Sequence, residues 1–452
     1  MITHYTLSRR NFLRCAGTFA AVAGLSPFSL MNAFAQSTTD YKALVCIFLM
    51  GGNDGHNILV PQTPEAYNAY QSIRGPLALP DTNAGLLPIS DQHGTPYGLN
   101  DGLASIAPLW TQQKLAVVAN VGMLVQPTSR MQYLAKTVPV PTNLFSHVDQ
   151  ILQMQAGNPN GLGGTGWAGR VADAVQGLNG SSSFPASISM AGSALFCTGS
   201  VVQSASLIPG FDLTLDGMTA WPASAAAAKQ QALQEILTFD TGLTLVQAAN
   251  KVRQDAIALN GMLKSLNAST PLTTVFPQTD IGRQLQQVAQ IIRLRTATGM
   301  KRQVFFCSLG GFDTHSGQSW AQWDLLRQVS DGMIALYNAS VEMGVAEQVT
   351  TFTESDFGRT LQPSGTGSDH GWGNHHLIMG GTVNGGDVYG IFPSLALGGP
   401  DDASTRGILI PTTSMDQYGA TLAKWFGVSA AAMPQIFPNL ANFSTADLGF
   451  LG

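Results

Sequence analysis

The chain has 452 residues, with 22 basic and 27 acidic side chains, a formal net charge of −5 and only 11% charged residues. Proteins that bind nucleic acids or anionic membranes normally carry a basic cluster, and this sequence contains none. We therefore expect no nucleic-acid partner. The 49 glycines and 44% hydrophobic residues are typical of a compact, loop-rich globular protein rather than a disordered chain.

Residues 1–35 have the pattern of an export signal. Arg9 and Arg10 precede a weakly apolar run, and a small-residue cleavage site ends at Ala35. The paired arginines indicate the twin-arginine pathway, so we expect the twin-arginine translocase as an export partner and a periplasmic or extracellular location. An ordinary signal peptide or a membrane anchor is the alternative. Pro27 and the short apolar run argue against a stable membrane span after cleavage.

Residues 36–452 are predicted to form one α/β domain. Apolar runs typical of strands buried in a mainly parallel sheet occur at Ala43–Met50, Leu115–Val121, Val304–Leu309, Val349–Thr353 and Leu377–Met379. Helical patterns occur at Ser224–Leu237, Leu243–Leu266, Ile281–Thr298 and Trp320–Met343. This alternation predicts an open α/β sheet with right-handed crossovers. The Gly/Ser-rich segment 155–225 is expected to be an insertion that forms either a cap or a β-hairpin over the sheet.

Polar motifs follow three of the predicted strands. Asp54 comes after the first strand, Asp313 and His315 after the third, and Asp369 and His370 in the loop after the fourth. Sites in parallel sheets form beyond the carboxyl ends of the strands, so these side chains are expected at one edge. Imidazole and carboxylate groups are the usual ligands of zinc, manganese and iron, which predicts a metal site. A single Asp-His pair of this kind is more often a turn or a helix cap.

Several motifs closely resemble an exported bacterial family catalogued as domain of unknown function 1501. They are G-G-N-D-G-H-N, L-F-S-H-V-D-Q, G-G-F-D-T-H, E-S-D-F-G-R-T, S-D-H-G-W-G-N-H-H and P-T-T-S-M-D-Q-Y-G-A-T-L-A-K-W-F-G-V. That family in turn resembles a distant branch of the alkaline phosphatase and sulfatase superfamily. The resemblance implies an alkaline-phosphatase-like three-layer sandwich. It also implies one or two divalent metal ions, which would be zinc, manganese, iron or calcium, at the strand ends.

The resemblance also implies a set of metal ligands. Its members are Asp54, Asp313, His315, Asp356, Asp369, His370 and one of His375 and His376, of which we favour His376. Two positions depart from the superfamily pattern. Phe357 stands where a histidine is expected after Asp356, and only Thr314 separates Asp313 from His315.

Two further residues are candidates for catalysis. Ser146 precedes a predicted helix and resembles the superfamily nucleophile, but with Asp149 three residues later it also fits a helix N-cap. His147 and Asp149 would then belong either to the site or to the first helical turn. Arg359 fits an anionic ester oxygen, since arginine binds such groups bidentately, or a structural ion pair with Asp356 or Glu354.

The sequence therefore predicts an exported metal-dependent hydrolase of phosphate or sulfate esters, whose partner is a small anionic ester. Ser146 or a water molecule activated by the metal would attack the ester. A non-catalytic, metal-stabilised secreted binding or assembly protein is the alternative, because fold alone does not establish function. An enzyme acting on sulfated polysaccharides is a weaker third hypothesis. The resemblance also suggests an exported partner protein.

Overall fold

The computed structural model describes residues 40–161, 163–182, 184–209, 221–239 and 271–452, together with isolated positions between 242 and 261. The predicted export signal and half of the predicted helix Leu243–Leu266 lie outside the described residues.

The described strands form two sheets. In chain order the strands are β1 (Lys42–Leu49), β2 (Leu59–Pro61), β3 (Leu86–Ser90), β4 (Pro96–Asn100), β5 (Leu115–Gly122), β6 (Ser187–Ser189), β7 (Ala205–Ser206), β8 (Arg302–Leu309), β9 (Val349–Ser355), β10 (Asn374–Gly380), β11 (Val388–Tyr389) and β12 (Thr413–Ser414). The large sheet has the order β11-β5-β10-β9-β1-β8-β6-β7, with β12 also paired to β5. Strands β2, β4 and β3 form a small antiparallel sheet.

The large sheet is mainly parallel, as the sequence predicts. Strand β1 lies at its centre and pairs in parallel with both β8 and β9. Strand β10 runs antiparallel to β5 and β9. Because β10 is reversed, its first residues lie at the edge where the parallel strands end.

The described helices are α1 (Pro64–Arg74), α2 (Pro108–Thr111), α3 (Arg130–Ala135), α4 (His147–Ala156), α5 (Trp167–Val175), α6 (Ala223–Thr238), α7 (Asp280–Arg293), α8 (Arg295–Thr298), α9 (Gln318–Glu342), α10 (Met415–Phe426) and α11 (Met433–Ile436). Helices α6, α7, α8 and α9 lie where the sequence predicts helical segments. Within the described ranges, none of the helices is both long and apolar enough to cross a bilayer.

Helices pack on both faces of the large sheet. Helices α5 and α10 share an apolar core with Leu44, Cys46 and Phe48 of β1. Alternate residues such as Val45 and Ile47 are equally buried and point to the opposite face. On that side α7 packs against α9, and these helices contact β8 and β9. Burial on both faces explains why the central strands read as uninterrupted apolar runs.

The segment expected to form a cap contributes to the sheet instead. Strand β6 pairs in parallel with β8, and β7 extends the sheet by pairing with β6. Helix α5, from the same segment, buries Trp167 in the core. The cap expectation is corrected for the described part of 155–225, because its short apolar runs are the last two strands on one side of the sheet and its helix covers the sheet directly.

One carboxyl group is buried in this core. Glu354, near the end of β9, is completely inaccessible to solvent. Burial raises the pKa of the Glu354 carboxyl well above its usual range, and the indole N–H of Trp167 offsets this only in part. The carboxyl is therefore neutral in the folded protein under conditions where it ionises in the unfolded chain.

We predict that Glu354→Gln becomes increasingly more stable than the wild type as the pH rises above the pKa of an unfolded glutamate, about 4.3. Each further pH unit should add about 1.4 kcal/mol to the difference, as long as the folded wild type keeps its proton. Thermal unfolding from pH 5 to pH 8 measures this, with the exposed Glu347→Gln as the control. Parallel pH profiles for wild type and Glu354→Gln would contradict the prediction.

Candidate metal centre

Three loops meet at the edge where the adjacent strands β8, β1 and β9 end. They comprise residues 50–57 after β1, 310–317 after β8 and 356–373 after β9. The loops approach so closely that Gly51, with φ at 113°, has no room for a side chain. A Cβ there would lie 2.4 Å from the backbone nitrogen of Asp313. Glycine at position 51 therefore allows the first and second loops to touch.

A buried guanidinium group, that of Arg359, fastens the three loops together. It donates hydrogen bonds to backbone carbonyl oxygens in all three loops, namely those of Gly51 (2.7 Å), Gly52 (2.7 Å), Phe312 (3.1 Å) and Ser368 (2.6 Å). It also forms an ion pair with Asp313. The Arg359 side chain is 0% exposed. Its ion-pair partner is thus neither Asp356 nor Glu354, and its burial does not favour contact with a substrate.

Four side chains converge above this guanidinium. The Asp313 Oδ1 atom lies 3.0 Å from Nε2 of His315, 3.5 Å from Nε2 of His147 and 3.6 Å from Nε2 of His370. The Nε2 atoms of His315 and His370 are 3.0 Å apart. The side chains of Asp313 and His315 are both 47% exposed, so the cluster opens to solvent.

Hydrogen bonds fix the orientation of two of the imidazole rings. Nδ1 of His147 lies 2.7 Å from Oδ2 of Asp356, and Nδ1 of His370 lies 2.8 Å from the carbonyl oxygen of Phe145. Both oxygens are acceptors, so each Nδ1 carries the proton and each Nε2 keeps its lone pair. Carboxylate and carbonyl groups orient the histidine ligands of metal ions in this way. Asp356 therefore positions His147 and does not itself join the cluster.

The local sequence explains how His147 and the Phe145 carbonyl reach this position. Phe145 adopts a left-handed backbone conformation with φ at 72°, which is rare for an aromatic residue. Its backbone N–H donates to Oε1 of Gln150 at 2.6 Å, within the following helix α4. This tight turn places His147 at the start of α4 and aims the Phe145 carbonyl at His370.

The geometry of the cluster fits a metal ion. Bond lengths of about 2.0–2.2 Å to a tetrahedral zinc place neighbouring ligand atoms about 3.3 Å apart. The four separations above scatter around that value. Two groups of potential ligands share His370: one contains His147 and Asp313, and the other contains His315 and Asp369. Asp313, His315, Asp369 and His370 are thus divided between two overlapping groups, and their role as metal ligands stays a prediction.

The ionisation of the cluster favours cation binding. Partial burial opposes ionisation of Asp313, but the hydrogen bond and charge of Arg359, with smaller contributions from His315 and His147, lower its pKa below the usual value. The hydrogen bond to Asp356 raises the pKa of His147, whereas desolvation lowers the pKa of His370. Metal ions require neutral imidazole, so protons compete for His147 as the pH falls.

Asp54 does not belong to either ligand group. Its carboxylate forms a buried ion pair with Arg74 of α1 and accepts a hydrogen bond from the Gln318 side chain. It also accepts from the backbone N–H of His56 at 3.1 Å, which caps a short 3₁₀ turn at Gly55–Asn57. These contacts occupy the carboxylate, so the expected role of Asp54 as a metal ligand is replaced by a structural one.

His375 and His376 also lie apart from the cluster. Both are buried at the start of β10, and desolvation lowers the pKa of each to about 3. Nδ1 of His375 accepts a hydrogen bond from the backbone N–H of Asn120 at 2.9 Å. The His376 ring packs near Tyr418 in the core, with ring centroids 5.7 Å apart. The reversed direction of β10 brings these residues to the correct edge, but their side chains point into the protein.

Ser146 is the N-cap of α4. Its hydroxyl donates to Oδ2 of Asp149 at 2.5 Å, and it accepts from the backbone N–H of Asp149 at 3.5 Å. The N-cap interpretation thus describes the observed contacts. Ser146 directly precedes His147 in the chain, and its assignment as the nucleophile stays a prediction.

Sequence reasoning left His147 undecided and missed the role of Phe145. The motif L-F-S-H-V-D-Q contained the signal for His147, since it places a histidine in a polar motif at a helix start. No sequence pattern marks the Phe145 carbonyl, because any residue supplies that atom.

Comparison with known proteins identifies a family. The family described as "Protein of unknown function (DUF1501)" matches residues 41–406. This chain belongs to that family. No curated protein matches this DUF1501 chain.

Two solved structures resemble the DUF1501 chain weakly. Ps i-CgsB, solved in complex with k-i-k-neocarrahexaose, has 10% sequence identity and a TM-score of 0.34, with 90% of this chain and 77% of that chain covered. A mutant of the alkaline phosphatase PafA has 13% identity and a TM-score of 0.26, with 71% of this chain and 64% of that chain covered.

We predict that Asp356→Asn lowers the metal affinity of the cluster by about 10- to 100-fold, because His147 loses the carboxylate that orients its ring. The fold should be preserved, since Asn can still accept a hydrogen bond from Gly51, as Asp356 does at 3.1 Å. Competition between the protein and a chromogenic chelator for zinc measures the affinity.

Asp54→Asn is the matched control for this variant. It should leave the metal affinity unchanged but destabilise the fold by about 3–5 kcal/mol, because Arg74 becomes a buried, unpaired charge. Equal losses of metal affinity in both variants would contradict the separation of roles.

Proposed function

We propose that this chain is an exported metal-dependent hydrolase of phosphate or sulfate esters, with a fold distantly related to alkaline phosphatases and sulfatases. The observation that carries the proposal is that the Nε2 atoms of His147, His315 and His370 all lie within 3.6 Å of Oδ1 of Asp313, in a cluster that opens to solvent. An open metal position beyond the carboxyl ends of parallel strands is suited to hydrolysis of an exogenous ester.

His147, Asp313, His315 and His370 would hold the ion, and Asp369 would be a further ligand. We favour one ion, because both ligand groups depend on His370 and its other nitrogen is engaged by the Phe145 carbonyl. Zinc best fits this nitrogen-rich ligand set, with manganese and iron as alternatives, whereas calcium prefers oxygen ligands. When bound, such an ion polarises an ester oxygen and lowers the pKa of water to about 7.

The residues of this chain would orient the reactants and hold protons. Asp356 and the Phe145 carbonyl keep the Nδ1 protons of His147 and His370 in place, so both rings keep one orientation throughout the reaction. Asp149 is a poor base for Ser146, because hydrogen bonds from Asn143 and Ser146 lower the pKa of its carboxyl. We therefore propose water, rather than Ser146, as the attacking group.

Metal-loaded protein should hydrolyse chromogenic phosphate or sulfate monoesters. A chelator should abolish turnover, and re-addition of the metal should restore it. His370→Ala should lose both bound metal, measured by elemental analysis, and turnover. A metal-loaded wild type that hydrolyses neither phosphate nor sulfate esters would contradict the hydrolase proposal.

Replacement of Ser146 distinguishes a helix cap from a nucleophile. Asparagine is a good N-cap without a hydroxyl, so Ser146→Asn should keep both stability and turnover, whereas Ser146→Ala should lose about 1 kcal/mol of stability but keep turnover. Loss of turnover in both variants, with metal content retained, would identify Ser146 as the nucleophile.

A second candidate is a secreted, metal-stabilised binding or assembly protein. Two of the expected functional residues, Asp54 and Arg359, are buried and used to hold loops together. This second function predicts that metal removal lowers the unfolding temperature although no ester is turned over.

A further inference from the structure

Arg406 lies beside the candidate metal centre on a loop whose backbone is held firmly. The Asp402 carboxylate accepts backbone hydrogen bonds from both sides of the loop, including those of Ser404 (2.8 Å) and Gly407 (3.0 Å). The backbone N–H of Arg406 donates to Oγ of Ser404 at 2.9 Å, and its carbonyl accepts from the backbone N–H of Gln362 at 3.0 Å. The base of the side chain is therefore fixed.

The guanidinium of Arg406, in contrast, forms only a long ion pair with Asp369. Its Nη1 lies 3.4 Å from Oδ2 of Asp369, and the side chain is 40% exposed. The guanidinium of Arg359 is buried among carbonyl oxygens, and that of Arg130 donates to the carbonyls of Asp402 and Ser404. Arg406 thus presents a cation with hydrogen-bond donors available to solvent.

The Arg406 guanidinium lies close to the candidate metal centre. Asp369 belongs to the ligand group that also contains His315 and His370, whose ligand atoms lie within 4.8 Å of one another. The Arg406 guanidinium is therefore one side chain away from the metal-ligating nitrogens. Arginine binds phosphate and sulfate oxygens bidentately, which suits an anion that is also bound to the metal.

We propose that Arg406 is the substrate-binding residue that recognises the anionic oxygens of the phosphate or sulfate group. This proposal rests on the proposed function, because it requires that the cluster bind a metal ion. Arg406 contacts the anion directly, moving from Asp369 to it, and favours charged esters over neutral ones. A purely structural Arg406 would instead only neutralise Asp369.

Calorimetry of metal-loaded protein with inorganic phosphate, and separately with inorganic sulfate, tests this without requiring turnover. Arg406→Gln should weaken binding of the anion by about 10- to 100-fold, and Arg406→Lys should restore part of the affinity because it keeps the charge. Metal content and unfolding temperature should be unchanged. Arg283→Gln is the matched control, since Arg283 is also paired with an aspartate, Asp280, and 43% exposed.

Anion affinity in Arg406→Gln equal to that of the wild type would overturn the proposal. Failure of the metal-loaded wild type to bind either anion would overturn it as well. If phosphate or sulfate binds through Arg406 but no ester is hydrolysed, the hydrolase proposal fails and the role of Arg406 in anion binding stands. If esters are hydrolysed and Arg406→Gln binds the anions normally, only the role of Arg406 fails.

Discussion

The buried guanidinium of Arg359 is the contact on which the candidate metal centre depends. Its hydrogen bonds reach carbonyl oxygens of the loops after β1, β8 and β9, and its charge pairs with Asp313. A charged group without water must be fully hydrogen-bonded to be tolerated, so the three loops are constrained to one arrangement. The same ion pair lowers the pKa of Asp313, which links the scaffold to the chemistry of the site.

A second layer of contacts determines which atoms face the site. Asp356 and the Phe145 carbonyl hold the Nδ1 protons of His147 and His370, so that both Nε2 lone pairs are available to a cation. The cluster joins candidate ligands that are far apart in the chain, with His147 at the start of α4 and Asp313 in the loop after β8. Such preorganisation reduces the cost of gathering ligands around an ion.

The sequence predicted the sheet well, because strands buried on both faces must be continuous apolar runs, as at Ala43–Met50. It also predicted that Asp313, His315 and His370 lie at one edge of the sheet, because the ends of parallel strands meet there. It could not separate ligands from scaffold residues. Asp54 follows a strand just as Asp313 does, and only the folded chain brings Arg74 and Gln318 to its carboxylate. The expectation that His375 or His376 is a ligand is wrong for a related reason. A motif does not specify which way a side chain points in a reversed strand.

We propose that His147, Asp313, His315 and His370 bind one metal ion and that Arg359 holds their loops in place. The most direct test is anomalous X-ray scattering from crystals of the protein loaded with zinc. A shared ion should give a peak about 2.0–2.2 Å from the three Nε2 atoms and from an oxygen of Asp313. A folded protein with no peak there, or with its peak beside Asp54 or His376, would contradict it.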